Sequence, residues 1–299
     1  MLPPIRRARL WRLYAEDRPR GRPRGRPSGR SSAREGGTPW RFLDLWMDGG
    51  RAMLGAKGTG IGTAAKAAID MGLARPMPST WERRLGRELQ RAYPGYAAAR
   101  FFSSDERALA AAARAPGIAA ANEGRARLRD IARREADGAA IGPGSADGAV
   151  LLLRPFSELL PGPRADAAAM AMPLLPCPSA LAPSVLLVRD PELAKSVEGD
   201  ILPPLTLASA HRALVELARM SEWYGEELWK KADRRLAPHF ERLGPYLYPR
   251  SGGEAYDEVF KRALAAGALL SPDPELPSIV PGDFDDGELA ALAAALAAT

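Results

Sequence analysis

Arg100-Phe-Phe-Ser-Ser-Asp-Glu-Arg-Ala-Leu-Ala-Ala-Ala-Ala-Arg-Ala115 decides the fold. Phe101 and Phe102 end a short strand, Ser103 and Ser104 make a turn, and an alanine-rich helix follows. Strand, turn and helix in that order belong to an α/β protein. A helix N-terminus presents unpaired N–H groups and the positive end of its dipole, so this turn is where such a protein would hold a phosphate. Ser103 and Glu106, however, stand at capping-box spacing. Asp105 and Glu106 also put two carboxylates where a dianion would sit, and like charges repel. The turn therefore predicts a self-capped structural helix.

Working outward, Ser79-Thr-Trp-Glu82 has capping-box spacing. Trp81, Leu85 and Leu89 then give an apolar stripe that stops before Pro94-Gly95. Ala64 to Leu73 is also helical in pattern. Gly55-Ala-Lys-Gly-Thr-Gly-Ile-Gly62 lacks the Gly-Lys-Ser/Thr of a Walker loop and predicts a plain loop. Trp40 to Gly50 predicts a strand entering a hairpin turn at Asp48-Gly49, and residues 1–16 fit a helical turn or a strand. Between them, 17–38 is an Arg/Pro/Gly insertion whose density of proline, glycine and like charge predicts disorder.

Downstream, Glu123 to Asp137 predicts a charged helix, and Val150-Leu-Leu-Leu153 and Val185-Leu-Leu-Val188 predict buried strands. Residues 155–183 show little periodicity. A long helix is expected from Leu202 toward Phe240, and another over Tyr256–Ala266. Asp285-Asp-Gly-Glu288 caps a last helix ending at Ala298.

A chain of 299 residues makes one large domain or two modest ones. Its formal charge is +6, but the seven arginines between Arg18 and Arg34 contribute +7 and leave the rest at −1. A basic groove across the body is excluded, and nucleic acid is expected only through Arg18–Arg34. One cysteine, Cys177, and two histidines, His211 and His239, exclude a disulfide framework and a Cys/His zinc cluster, so no metal site is expected. Without a long apolar run or a signal-peptide pattern, the expectation is a cytoplasmic protein with no membrane partner.

The order of these motifs resembles the class III aminotransferases, of the glutamate-1-semialdehyde aminotransferase kind. These are pyridoxal-phosphate (PLP) enzymes of fold type I. In that family an aromatic strand runs into Asn-Ser-Gly-Thr-Glu-Ala and a helix, and the Ser-Gly-Thr turn binds the cofactor phosphate. Here the turn reads Ser103-Ser104-Asp105-Glu106. With the arginine insertion cut out, Arg12-Leu-Tyr-Ala-Glu-Asp17 joined to Arg41-Phe-Leu-Asp44 looks like the family's opening hairpin. Leu202-Pro-Pro-Leu-Thr-Leu-Ala-Ser-Ala resembles its Asn-Pro-Leu-Ala-Met-Ala-Ala helix start, and Gly267-Ala-Leu-Leu-Ser-Pro resembles its small-domain strand. The likeness covers 40–115 and 202–299 and fades between them.

The resemblance implies a PLP-dependent transferase fold, a homodimer with its site across the interface, and three devices around PLP. These are a Schiff-base lysine, an acid on the pyridinium nitrogen, and donors for the phosphate. The lysine is expected near Met172 to Leu174, yet no lysine lies between Lys66 and Lys195. The acid is expected after the Val150–Leu153 strand, where Arg154-Pro-Phe stands instead. The phosphate turn carries carboxylates, leaving Ser103 and Ser104 as its remnant.

The expectation is thus a shortened α/β fold of type I, with an N-terminal segment 1–60, a large-domain remnant 61–201 and a C-terminal α+β small domain 202–299. It has no catalytic residues and no cofactor, and it serves as a binding or scaffold protein. Two alternatives stand beside it. One is an active PLP-dependent aminotransferase or aminomutase with relocated site residues, and the other is an RNA-associated protein working through the arginine arm.

Overall fold

The computed structural model describes residues 3–15, 40–55, 60–115, 126–134, 149–160, 168–251 and 255–298. The expected insertion 17–38, the body of the glycine-rich loop and both ends of the expected charged helix lie outside them. Twelve strands and eight helices occur among the described residues.

A five-stranded sheet forms the centre. It contains β4 (Ala98–Phe102), β5 (Arg127–Asp130), β6 (Ala149–Leu153), β7 (Met170–Pro173) and β8 (Ser184–Val188) in the order β4-β8-β7-β6-β5. Four strands run one way, and β8 runs against both of its neighbours. The Val/Leu runs of β6 and β8 have no polar alternation because both faces of this sheet are covered. Period-two geometry divides their side chains. Phe101, Leu151, Leu153, Val185 and Leu187 meet helices α1 (Ile61–Asp70), α2 (Thr80–Ala92) and α5 (Pro204–Met220). Phe102, Val150, Met172, Leu186 and Val188 meet α3 (Asp105–Ala113) and α4 (Pro191–Ser196) on the other side.

A second core joins the two ends of the chain. β1 (Ile5–Arg9), β2 (Arg12–Ala15) and β3 (Trp40–Asp44) form an antiparallel sheet, to which β11 (Ala268–Leu269) adds in parallel. Within 1–16, Ile5–Arg9 and Arg12–Ala15 are therefore strands rather than a helical turn, and β2 pairs with β3 as the opening-hairpin likeness implies. A three-stranded sheet of β9 (Phe240–Leu243), β10 (Tyr246–Pro249) and β12 (Ser278–Ile279) lies beside α6 (Glu226–Leu236), α7 (Tyr256–Ala265) and α8 (Asp286–Ala297). Trp11, Leu43, Met47, Tyr224, Trp229, Tyr246, Ile279 and Leu289 share this core. Arg12 ties it at the rim through Glu288 and Asp283, each at 2.8 Å.

Several expectations are corrected. Arg127–Asp130 lies in strand β5, paired in parallel with β6, instead of a helix. Tertiary pairing at a sheet edge overrides the charged residues' helical pattern. β7 lies inside the stretch without visible periodicity. The long helix after Leu202 stops at Met220, and α6 begins only at Glu226. Ser79 makes no capping hydrogen bond, and its Oγ is buried without a partner. The Asp285–Glu288 capping box is formed as expected.

Asp48-Gly49 does not turn a hairpin. Met47, Asp48, Gly49 and Gly50 take φ of 50°, 49°, 66° and 116°, a left-handed run that is uphill for the first two. Asp44 holds it by accepting hydrogen bonds from the backbone N–H groups of Trp46 (3.1 Å) and Met47 (2.8 Å). Burial pushes the Asp44 carboxyl up to about 6, against these bonds. The folded protein thus binds this proton more tightly than the unfolded chain, and the associated stability is lost as pH rises toward 6. Asp44→Asn keeps the acceptor and removes the charge. It is expected to gain about 1–2 kcal/mol over the parent at pH 7.5 and to lose that advantage by pH 4, as read from urea unfolding at both values.

Candidate functional site

Open α/β sheets place their sites beyond the C-terminal ends of the parallel strands. Here that edge receives Ser103 from β4, Asp130 from β5, Arg154 from β6 and Leu174 from β7.

At the end of β6, Arg154 is 4% exposed. Its Nε donates to both oxygens of Asp130 (3.0 and 2.9 Å), and Nη2 donates to Oδ2 at 2.6 Å. The two residues meet because β5 and β6 are register neighbours that end together. Nη1 donates to the carbonyl of Gly49, which brings the left-handed turn down on the pair. A Cβ at Gly49 would stand 3.1 Å from Nη1, so glycine there serves both the backbone conformation and the approach. Burial opposes the guanidinium charge, but the hydrogen bonds and charge of Asp130 outweigh it and hold Arg154 above its ordinary value. Tyr246 and Tyr248 close the far side, donating their hydroxyls to the carbonyls of Pro155 and Ala132.

At the end of β4, the anchor turn is also filled from within the chain. The strap between α4 and α5 crosses it, with Asp200 N–H donating to the Phe101 carbonyl at 2.7 Å. The Asp200 carboxylate accepts from the backbone N–H (3.0 Å) and hydroxyl (2.9 Å) of Ser103 and from the Arg107 guanidinium. Arg107 above all, with Ser103, holds Asp200 well below the usual carboxylate range. Gly199 permits the crossing, since a Cβ there would stand 2.9 Å from the Phe101 carbonyl oxygen. Arg100 fixes the strap's start by donating to the carbonyls of Ala194 (2.7 Å) and Val197 (2.8 Å).

The expected Ser103–Glu106 capping box is corrected by one residue. Ser104 is the cap and accepts from the N–H of Arg107 at 3.3 Å, while Ser103 is engaged by Asp200. Ser104→Ala should lower stability by about 1 kcal/mol. Glu106→Ala should do less, because Glu106 is exposed and its carboxylate accepts from the Ser104 hydroxyl and from its own backbone N–H, which together draw it below its usual range. Thermal melts of the two variants check that order. Asp105 points to Ser184, whose hydroxyl donates to it at 2.5 Å, with Arg51 3.7 Å away.

The remaining candidates are exposed, inert or outside the described residues. β7 ends at Pro173-Leu174 with no amine. Lys195 is 71% exposed on α4 and paired with Glu192, Lys66 is exposed on α1, and Lys57 lies outside the described residues. Cys177 is buried, and burial pushes its thiol up to about 12, too high for a nucleophile. No group of three metal-ligating side chains occurs among the described residues. The Arg154–Asp130 pair and the Asp200 strap were not visible in the sequence. Arg154 after an apolar strand was the only signal.

This architecture is the PLP-dependent aminotransferase fold. No protein-family model matches the chain. An omega-transaminase from Sphaerobacter thermophilus shares the fold at 13% identity and TM-score 0.65, with 98% of this chain and 90% of that one covered. An N-acetylornithine aminotransferase from Stenotrophomonas maltophilia K279a aligns over 98% of this chain and 95% of its own, at 15% identity and TM-score 0.60. In sequence, an uncharacterized protein of Treponema pallidum (strain Nichols) is 25% identical over 264 residues, covering 81% of this chain and 83% of that protein.

Proposed function

We propose that this chain is an aminotransferase-fold protein that has lost PLP binding and transaminase activity and works by binding other molecules, as a cytoplasmic homodimer. Its division would be a large-domain remnant 61–201 and a small domain 202–299 that includes the N-terminal segment 1–60, with α5 crossing back to pack on the central sheet.

The observation that carries the reading is Arg154. Neighbours in this fold include transaminases, and in the resembled family a carboxylate holds the proton on the pyridinium nitrogen and keeps the ring an electron sink. The end of β6 offers a buried guanidinium already engaged by Asp130 and Gly49. A cation there would oppose a protonated ring nitrogen. No lysine stands at the end of β7 to form a Schiff base. Ser103, the donor on the anchor turn, is taken by a carboxylate of the chain itself. The residues at this edge do not fit PLP.

A transamination assay with excess PLP, an amino donor and a 2-oxo acid tests the reading. The expected result is no turnover above the protein-free control. Turnover that disappears in Lys195→Ala or Lys57→Ala would instead favour an enzyme with relocated residues.

A further inference from the structure

We propose that the outer arginine edge of the N-terminal sheet, strand β1, is a docking surface for single-stranded nucleic acid. This inference does not rest on the fate of the cofactor site, and PLP binding would leave it standing.

Charge is divided unevenly along the chain. Residues 1–34 hold eleven arginines against Glu16 and Asp17, a balance of +9, so the remaining residues carry −3 of the total +6. The structure shows where part of this charge sits. β1 is the outermost strand of its sheet, and Arg6, Arg7 and Arg9 are exposed along it. The inner strands of the same sheet also carry arginines. Arg12 on β2 and Arg41 on β3 are drawn against Glu288 of α8, and Arg12 also meets Asp283. The acids of α8 serve the inner arginines and hold the sheet to its core.

Arginines also protect an edge strand from pairing with another chain. Two further features point beyond protection. The Arg7 guanidinium lies 4.5 Å over the ring of Tyr14, its register partner on β2, which makes a flat cationic platform of the kind that stacks on bases. The edge is also continuous in sequence with the strongest run of charge in the protein. The chain leaves this sheet at Ala15 and returns to it at Trp40, with seven arginines between.

The same observations favour nucleic acid over a lipid surface. Residues 16–39 contain no Leu, Ile, Val, Met, Phe, Tyr or Trp, whereas a polybasic membrane tether is ordinarily paired with an apolar or acyl anchor. Guanidinium groups suit phosphodiesters because their paired N–H donors meet two oxygens at once.

Fluorescence anisotropy of the full chain with a labelled single-stranded RNA of about 20 nucleotides, across a series of KCl concentrations, tests the proposal. The parent should bind, with log K falling linearly against log[KCl]. Replacing Arg6, Arg7 and Arg9 together by Ser should weaken binding at least about tenfold and reduce the slope by about 2, at roughly 0.7 for each phosphate no longer neutralised. The corresponding triple Lys variant should keep the slope, which separates lost charge from damaged folding. Parallel titrations use single-stranded DNA and vesicles of phosphatidylcholine with phosphatidylserine. Equal affinity for both nucleic acids identifies the shared phosphate backbone as the ligand. Preference for the vesicles, or a Ser variant with the parent's affinity and slope, overturns the proposal.

Discussion

Arg154→Ala is expected to destabilise the protein by about 3–5 kcal/mol, the largest effect of any substitution at the sheet edge. The guanidinium contributes little net attraction of its own, because burying it and Asp130 costs most of what their pairing returns. The loss comes from what remains, an Asp130 side chain only 13% exposed with its counter-charge gone and a Gly49 carbonyl without its donor. Arg154→Met with Asp130→Leu should therefore recover most of the loss, since an apolar pair of similar volume leaves no buried charge behind. Urea unfolding midpoints of the parent, the single and the double variant decide this. A single variant within about 1 kcal/mol of the parent, on the same ordinary scale for buried pairs, would mean that the pair is solvated and does not fill the crevice.

Gly199→Val should cost about 2–4 kcal/mol, combining overpacking with the loss of charge-assisted hydrogen bonds. The added Cβ would stand 2.9 Å from the Phe101 carbonyl oxygen and 3.1 Å from its nitrogen, both main-chain atoms of β4 that have no rotamer to yield. The strap must lift, and Asp200 then leaves Ser103 and Arg107. Asp200→Asn leaves the strap seated and removes only the charge, so it should cost less. The pH dependence has a definite sign. Asp200 is held below its ordinary value in the folded protein, so its contribution is present above the usual carboxylate range and is lost as pH falls. The parent should therefore lose more stability than Asp200→Asn between pH 6 and pH 3, where an unpaired carboxylate titrates. Equal losses would mean that Asp200 carries no folded-state charge interaction.

What was legible in the sequence follows from which forces are local. β6 and β8 were readable because strands covered on both faces must be continuously apolar, and Val150–Leu153 and Val185–Val188 are. The cap of α8 was readable because Asp285 and Glu288 serve backbone groups within one turn. β5 was misread because Arg127-Leu-Arg-Asp130 owes its strand to pairing with β6, which no local pattern announces. β7 was missed because Met170-Ala-Met-Pro173 is short and lies among prolines. The cap of α3 shows the limit most sharply. Ser103 and Ser104 are adjacent and chemically alike, and what assigns the cap to Ser104 is Asp200, 97 residues away, engaging Ser103. The site divides in the same way. The position of Arg154 was visible as a departure from the resembled family, while its partner Asp130 became visible only when β5 and β6 were seen side by side.

The most direct test of the central claim is the visible absorption spectrum of the full chain purified with added PLP, followed by borohydride reduction and peptide mass mapping. With a guanidinium at the end of β6 and no amine at the end of β7, the protein should show no aldimine band at roughly 400–430 nm after removal of free cofactor. No lysine-containing peptide should carry a reduced pyridoxyl group. A band that survives desalting, with a reduced adduct mapped to Lys57, Lys66 or Lys195, would contradict the account. It would place a working cofactor site on a lysine that does not belong to β7 or the residues just after it in sequence.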